Sequence, residues 1–311
     1  MPTPCEVPVA RRLRERPSPA ASCTRARRAD SPTPVVRARG AGLELALTVL
    51  VAWGAAPARP EEKPGEALRA EVERALARID AQATEWKPEL AGDARMTEAL
   101  RAALAWPEEA GDARVRGRGA MIALALFVDD SGMYAANPLG GAPYAAVWPA
   151  EARGRGKTLG RSLSILERHD WAQHWAVTGA LATQLGSAIA LQAGYAKEIS
   201  DAKERETGPA SGFSFADLEA DYAGVEFARR LLGGGGGAGG ADVRRRALAG
   251  APIVDFTPDL REMPEELTYT EFVRDHGGLR DARYRTMVEK IRRRIAACTG
   301  FAEAGAETEK R

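Results

Sequence analysis

Three segments in the middle of the chain decide its fold, and they read 168-RHDWAQHWAVTGALATQL-185, 188-AIALQAGYAKEISDAK-203 and 215-FADLEADYAGVEFARRLL-232. Each is long enough to form a helix of a globular protein. The first and second are apolar on nearly all sides, which is typical of helices buried in a core. We therefore predict a mainly α-helical fold with three buried core helices.

Charged and polar residues interrupt this apolar pattern. The first segment carries His169, Asp170 and His174, the second carries Lys197, Glu198 and Asp201, and the third carries Asp217 and Asp221. A charge buried in a protein core must be paired, because an isolated one is too costly to desolvate. We therefore expect these side chains to meet where the three helices converge.

Spacing along the helices narrows which residues can act together. Asp170 and His174 are four residues apart and share a face, so the carboxylate is placed to orient that imidazole. His169 and His174 are five apart and diverge by about 140°, which disfavours a shared metal ion. Lys197 and Asp201 are again four apart, as expected for an ion pair within one helix.

Asp217 has a structural interpretation of its own. Ser214 followed by Asp217 fits a capping box, with Asp where Glu or Gln is usual, and Phe213 with Leu218 fits the hydrophobic staple. We therefore expect Asp217 to hold the start of the third helix. The predicted polar network then consists of Asp170, His174, Lys197, Glu198, Asp201 and Asp221.

Two functions are compatible with such a network. In the favoured one, the network specifies helix packing or forms a binding groove for an envelope partner or a small ligand. In the alternative, the protein is a metal-dependent hydrolase, because carboxylate oxygens and imidazole nitrogens can hold a divalent metal. Its ligands would be His174, Glu198, Asp201 and Asp221, with Asp170 supporting them. Neither an HExxH motif nor the signature of a Ser or Cys nucleophile accompanies these residues.

The same residues carry a resemblance to a known family. Taken in order, the pattern is Asp170, His174, Gly194, Lys197, Glu198, Asp201, Phe213, Ser214, Asp217, Leu218 and Asp221. It resembles the YfiM-like family of predicted bacterial periplasmic lipoproteins of unknown function, over residues 168–232 only. Trp175 stands where that family tends to have Phe, and the lipobox cysteine is missing, so lipid anchoring is not supported. The resemblance implies a location in the bacterial envelope and no particular activity.

The N-terminal region, residues 1–58, is interpreted as a disordered leader followed by a secretory signal peptide. Residues 1–40 are rich in Arg, Pro and Ala without a hydrophobic period. Arg37 and Arg39 then precede an apolar run at 45–53 and the small-residue sequence Ala-Pro-Ala at 56–58, which is the order of a signal peptide. The run is shorter than the about 20 apolar residues needed to span a bilayer. We expect a periplasmic or secreted mature chain without a transmembrane anchor.

The length of the leader suggests that translation starts further along the chain. About 36 residues precede Arg37, where the basic region of the predicted signal peptide begins, although a few suffice for a signal peptide. Val35 or Val36 is the expected start, and the alternative is a disordered cytosolic tail.

Residues 59–232 are predicted to form the main helical domain, with 168–232 as its polar-core module. Helical periodicity predicts further helices at 64–82, 97–106 and 119–128. Residues 129–160, rich in Gly and Pro, are predicted to be a long loop, and loops of this length often bind ligands or cover sites. GRGKT at 154–158 lacks the first glycine of a phosphate-binding loop and a preceding strand, so nucleotide binding is excluded on this feature.

The C-terminal part is predicted to be a small helical appendage. Residues 233–240 are nearly all glycine and read as a flexible linker. The segment 241–311 then contains two helical stretches, at 265–275 and 281–297. The basic residues of the second stretch are expected to form a solvated face.

Charge and cysteine content exclude several classes of protein. Residues 59–311 hold 35 Lys and Arg against 39 Asp and Glu, so this part of the chain is mildly acidic and a nucleic-acid partner is disfavoured. The three cysteines, Cys5, Cys23 and Cys298, have neither zinc-knuckle nor redox spacing. A core must therefore hold the fold together without a disulfide framework.

Cleavage by signal peptidase is the first testable expectation. Ala56 and Ala58 satisfy the small-residue requirement of the cleavage site, so the exported protein should begin at Arg59. Mass spectrometry of the N-terminal peptide from the periplasmic or secreted fraction checks this. A mature protein that keeps residues 37–58 would contradict it, and Ala58→Glu should block processing.

Overall fold

The computed structural model describes residues 65–107, 112–233 and 239–302. These residues form twelve α-helices and no strands, which confirms the mainly α-helical prediction. The leader, the signal-peptide region and the glycine run at 234–238 lie outside the described residues.

The α-helices, in chain order, are α1 (Glu66–Thr84), α2 (Gly92–Leu104), α3 (Ala113–Val128), α4 (Met133–Ala136), α5 (Ala142–Ala145), α6 (Ala150–Gly160), α7 (His169–Leu185), α8 (Ser187–Arg205), α9 (Phe215–Leu231), α10 (Gly239–Leu248), α11 (Tyr269–His276) and α12 (Ala282–Ala296). Three short 3-10 turns lie at Ile253–Phe256, Leu260–Glu262 and Thr299–Phe301.

Helices α3, α7 and α9 form the centre of the core. Every residue from 119 to 128 of α3 is buried, because its MIALALFV run presents an apolar side chain on every side. Helix α7 packs against both α3 and α9. Helix α8, expected to be buried all round, buries only Ala190, Gly194, Glu198 and Ala202. The central position thus belongs to α3, while α8 covers one side of α7.

Glycines let α7 and α9 approach closely. A Cβ at Gly224 of α9 would stand 2.0 Å from the Trp175 carbonyl oxygen of α7, and one at Gly179 of α7 would stand 2.9 Å from the Gly224 carbonyl oxygen. The two backbones are therefore in contact where any larger residue would separate them. This contact fixes how the polar side chains of α7 and α9 face each other.

A single residue joins α7 to α8. Gly186 has a φ of 88°, in the left-handed region that favours glycine, and it ends α7 while starting α8. The two helices pack together as a hairpin. The hairpin brings the start of α7 beside the end of α8, which is where the charged residues of both helices lie.

Residues 129–160 contain three short helices, α4 to α6, where the sequence predicted a continuous loop. The carboxylate of Asp129 accepts backbone N–H groups from Gly132, Tyr134 and Ala135 and so orders the turn into α4. The GRGKT sequence lies inside α6, which agrees with the exclusion of a phosphate-binding loop. Helices α4 and α5 have four residues each and are too short to leave a hydrophobic period in the sequence. The eleven residues of α6 include a single large apolar side chain, Leu159, so they show no such period either.

Residues 239–302 pack onto the same core. Phe272 of α11 stacks on Phe213, just before α9, with ring centroids 4.0 Å apart. Phe213 and Leu267 exchange backbone hydrogen bonds of 2.7 and 3.1 Å. The backbone N–H of Ile253 also donates to Thr97 Oγ1 of α2. In the described parts of the chain, no helix is both long and apolar enough to cross a membrane.

The close approach of α7 and α9 gives a stability prediction. Gly224→Ala should lower the free energy of unfolding by about 1–3 kcal/mol, because the methyl group must displace the Trp175 carbonyl. Gly154→Ala is the matched control: it lies exposed in α6 with nothing near its Cβ position, so it should be neutral or stabilising by up to about 1 kcal/mol. Urea denaturation of both variants checks this, and equal stability of the two would contradict the packing described.

Candidate functional site

His174 lies at the centre of the polar residues and is only 9% exposed. Its Nδ1 stands 3.0 Å from Oδ1 of Asp221, a fully buried carboxylate of α9. A carboxylate only accepts hydrogen bonds, so Nδ1 carries the proton and donates it to Asp221. Thr178, one turn further along α7, donates its hydroxyl to the same oxygen at 2.6 Å. The hydrogen bond to Asp221 of α9 thus fixes the orientation of the imidazole, and Nε2 points away from Asp221.

The Nε2 side of His174 faces two further carboxylates. Asp217 Oδ2 of α9 lies 3.4 Å from Nε2, and Glu198 Oε1 of α8 lies 3.8 Å from it. Each of the three side chains is buried and each is capable of binding a metal ion. His174, Glu198 and Asp217 each contribute one potential ligand atom, and these three atoms lie within 4.8 Å of one another.

Glu198 connects α8 to the start of α9. Its Oε2 accepts the backbone N–H of Ser214 at 2.9 Å, and its Oε1 accepts Lys197 Nζ at 3.1 Å. Ser214 in turn caps α9 by accepting the N–H of Asp217 at 3.0 Å, as its sequence position predicts. The reciprocal half of the predicted capping box is different, because Glu198 takes the Ser214 N–H that Asp217 was expected to take. The Asp217 carboxylate is therefore free to face His174.

Asp201 pairs with Lys197 and is not part of the group formed by His174, Glu198 and Asp217. Its Oδ2 accepts Lys197 Nζ at 2.8 Å and the Ser211 hydroxyl at 3.0 Å. The predicted ligand set of His174, Glu198, Asp201 and Asp221 is thus not brought together as such. The structure groups Asp217 with His174 and Glu198, places Asp221 behind the imidazole, and leaves Asp201 as the partner of the lysine.

Asp170 and His169 have partners outside the centre of the network. Asp170 accepts Arg168 Nε at 2.8 Å, so the expected orientation of His174 by Asp170 is replaced by orientation from Asp221. His169 Nδ1 lies 2.9 Å from the Leu163 carbonyl oxygen, in keeping with its predicted divergence from His174. Arg168 also reaches Glu265, which ties the start of α7 to the C-terminal segment.

The electrostatics of the network are dominated by burial and by the excess of acids. Burial opposes the charged form of His174, but Asp217 and Asp221 outweigh it and raise the pKa of the imidazole to about 9. Burial raises the pKa of the Glu198 carboxyl, and the neighbouring Asp217 raises it further, against the lysine. Lys197, surrounded by carboxylates, has a raised pKa and stays charged.

A pocket of about 320 Å³ opens beside this network, between α7, α8 and residues 129–139. Its apolar end is lined by Met133, Tyr134, Leu139, Val177, Leu181, Leu185, Ile189 and Ala193. Its polar end is lined by Asp170, Gln173, His174, Thr178, Lys197, Ser211 and Asp217. Along α7 and α8 the lining therefore changes from apolar residues near Gly186 to polar residues at the other end, the acidic end, which includes Asp170 and Asp217. Residues 129–139 also contribute Asp129, Ser131 and Asn137 to the lining. We refer to this pocket below as the groove.

The sequence did not reveal that Asp217 faces His174, nor which residues of the 129–160 segment line the groove. The spacing of Asp217 and Asp221, one helical turn apart, was a usable signal that both face α7. For the lining of the groove, the aromatic content of residues 129–160 was the available signal, since Tyr134, Tyr144 and Trp148 are all buried.

Comparisons with models of known protein families, with curated proteins and with solved structures found no match to this chain.

The raised pKa of His174 predicts how stability depends on pH. An imidazole that titrates near 9 when folded and near 6.5 when unfolded binds its proton more tightly in the folded state. Its stabilisation is complete below about pH 6.5 and is lost as the pH rises through 9, by up to about 3 kcal/mol. Glu198, with its raised pKa, changes stability in the same direction.

The check is urea denaturation between pH 6 and pH 9.5 in the presence of a chelator. His174→Gln should flatten the decline, whereas His169→Gln, outside the network, should keep it. An equal decline in both variants would show that His174 is not its source.

Proposed function

We propose that this protein is an exported protein of the bacterial envelope that binds an elongated amphipathic molecule in the groove, with a cationic group at the acidic end. The single observation that carries the proposal is the groove itself, which runs from an apolar wall to Asp217 and His174, two buried members of the polar network. Ligand sites typically combine a mainly apolar lining with a few placed polar groups.

The dimensions of the groove support an elongated ligand. From His174 to Leu185 the groove follows eleven residues of α7, which at a rise of about 1.5 Å per residue corresponds to about 16 Å. Met133, Leu139 and Ile189 at its apolar end are 43%, 50% and 43% exposed. Large apolar side chains that line a concavity and face solvent are suited to cover a hydrocarbon portion of a ligand.

The charge of the polar end supports a cationic group. Within the described parts of the chain, the four carboxylates of the network form ion pairs with two cationic groups, Lys197 and His174. These carboxylates are Glu198, Asp201, Asp217 and Asp221. The nearby Asp170 is balanced by Arg168, and Asp129 is occupied by backbone N–H groups. The remaining excess of acid attracts an amine and repels an anionic headgroup.

Export is supported by the order of residues before the described part. Arg37, Arg39, the apolar run at 45–53 and the small residues at 56–58 have the arrangement of a secretory signal. The resemblance of residues 168–232 to a periplasmic family points to the same compartment. A mature chain that is mildly acidic and held together without a disulfide framework is compatible with it.

A metal-dependent hydrolase is a second candidate, favoured by the approach of Glu198 and Asp217 to His174 Nε2. In that reading the groove would hold the substrate and the three residues would hold the ion. Release of p-nitrophenol from medium-chain esters, dependent on added metal and absent in His174→Gln, would favour this candidate over simple binding.

Ligand binding is tested by displacement of a neutral apolar dye, N-phenylnaphthylamine, in the presence of a chelator. Dodecylamine, protonated at pH 7, should displace the dye more effectively than dodecanol, and dodecanol more effectively than dodecanoate. Leu181→Asn should weaken dye binding about tenfold, because it removes a buried apolar contact worth more than 1 kcal/mol. Leu279→Asn, an exposed leucine outside the groove lining, is the matched control.

The variant Asp217→Asn tests the contact with the cationic group separately from the contact with the hydrocarbon portion of the ligand. It should weaken dodecylamine binding while leaving dodecanol unchanged, because only the amine interacts with the carboxylate. Absence of dye binding would contradict the proposal that the groove binds a ligand. Equal displacement by dodecanoate and dodecylamine would contradict the preference for a cationic group.

A further inference from the structure

Three potential metal ligands from three different helices meet beside the polar end of the groove, which two of them, His174 and Asp217, line directly. The three are the imidazole of His174 on α7, the carboxylate of Glu198 on α8 and the carboxylate of Asp217 on α9. The Nε2 atom lies within 3.4 and 3.8 Å of the two carboxylate oxygens, so a modest contraction would bring all three to coordination distance of one ion. A cluster of acids alone would be a weak indication, because such clusters are common without a metal.

An unpartnered oxygen supplies an independent indication. Asp217 Oδ1 is buried and has no hydrogen-bond partner among the described residues. The Asp217 side chain is only 6% exposed, and it lines the groove. Leaving a buried polar atom without a partner is costly, and more so for a charged group. A cation bound by the Asp217 carboxylate would compensate its charge, through Oδ2 beside His174 or through both oxygens.

The orientation of His174 is the one that metal coordination requires. Its Nδ1–H donates to Asp221, which is held in turn by the Thr178 hydroxyl, so Nε2 is the atom left for an ion. Metal-binding histidines usually donate their other ring N–H to a carboxylate, which fixes the tautomer and raises the basicity of the ligand nitrogen. Asp221 occupies that place here.

We propose that His174, Glu198 and Asp217 bind one divalent transition-metal ion, with Asp221 as the positioning residue of the imidazole. One nitrogen and two carboxylate ligands suit Zn²⁺ or Mn²⁺, since imidazole favours the former class and carboxylates the latter. Three protein ligands leave a coordination position open toward the groove. On binding, the ion replaces any proton on Nε2, and that proton is released to solvent.

Lys197 is the natural competitor of the ion. Its ammonium lies 3.1 Å from Glu198 Oε1 and therefore neutralises a carboxylate that the metal would use. The lysine side chain is 31% exposed and also contacts Asp201, so it has an alternative partner when the metal binds. Removing this ammonium should strengthen metal binding, whereas a merely structural ion pair would not give that result.

The experiment is isothermal titration of the chelator-treated full chain with ZnCl₂ and MnCl₂, with metal content of the dialysed complex measured by mass spectrometry. The expected result is one ion per chain for at least one of the two metals, and a rise in the thermal midpoint of unfolding. Asp217→Asn and His174→Gln should weaken binding at least about tenfold, and Asp221→Asn about 10–100-fold.

Asp201→Asn is the matched control, because it removes a neighbouring carboxylate that is not a proposed ligand. It should bind the metal as the wild type does. All variants keep the same three cysteines, so any ion held by a thiol is a common background. Should Asp217→Asn fail to fold, Lys197→Met provides the second test, with tighter binding expected than in the wild type.

The proposal is overturned if neither metal binds with a dissociation constant below the millimolar range. It is equally overturned if Asp217→Asn binds like the wild type, if Asp201→Asn loses the ion instead, or if Lys197→Met fails to bind more tightly. The site shares only the acidic end of the groove with the proposed ligand, and it is measured without any organic molecule. Dye binding is measured with a chelator present and therefore does not depend on the metal. A negative result for one proposal can thus be distinguished from a negative result for the other.

Discussion

The buried carboxylate of Asp221 constrains three helices at once. It is fully buried, and a charge in that position must be compensated within the protein. Its Oδ1 accepts both His174 and Thr178 from α7, while its Oδ2 lies against Gly194 of α8, where a Cβ would stand 2.1 Å away. Only a glycine at that place lets α8 approach. The register of α7, α8 and α9 is therefore fixed by one side chain.

The rest of the polar site depends on that register. With the imidazole held by Asp221, Nε2 faces Asp217 and Glu198, and Glu198 in turn takes the first backbone N–H of the α9 cap. Networks of this kind specify a structure only when each member is satisfied. Two oxygens of the network lack a hydrogen-bond partner among the described residues, Asp217 Oδ1 and Asp221 Oδ2. Asp221 Oδ2 lies against Gly194, whereas the Asp217 side chain lines the groove, where a cation could reach it.

The α7–α8 hairpin contributes residues to both the groove and the network, and α9 completes the network with Asp217 and Asp221. Gly186 turns the chain so that α8 runs back along α7, which brings apolar residues together near the turn and charged residues together at the far end. The remaining wall comes from residues 129–139, which Asp129 orders through their backbone N–H groups. Two packed helices are a suitable support for a bound molecule, because sites on helices are held more firmly than sites on loops.

The sequence by itself determined the helices α7 and α9 almost to the residue, the N-cap at Ser214 and the identity of nearly all the charged side chains of the site. These features are local: they depend on periodicity and on spacing within one helix. Which carboxylate orients His174 was decided by the tertiary structure, because Asp170 and Asp221 are equally plausible until α9 is placed against α7. The role of Asp217 was decided in the same way, since Glu198, sixteen residues before Ser214, takes the cap N–H that Asp217 was expected to take. Contacts between helices depend on how closely their backbones approach, and here that distance is set by Gly194, Gly179 and Gly224, whose effect appears only once the helices are packed.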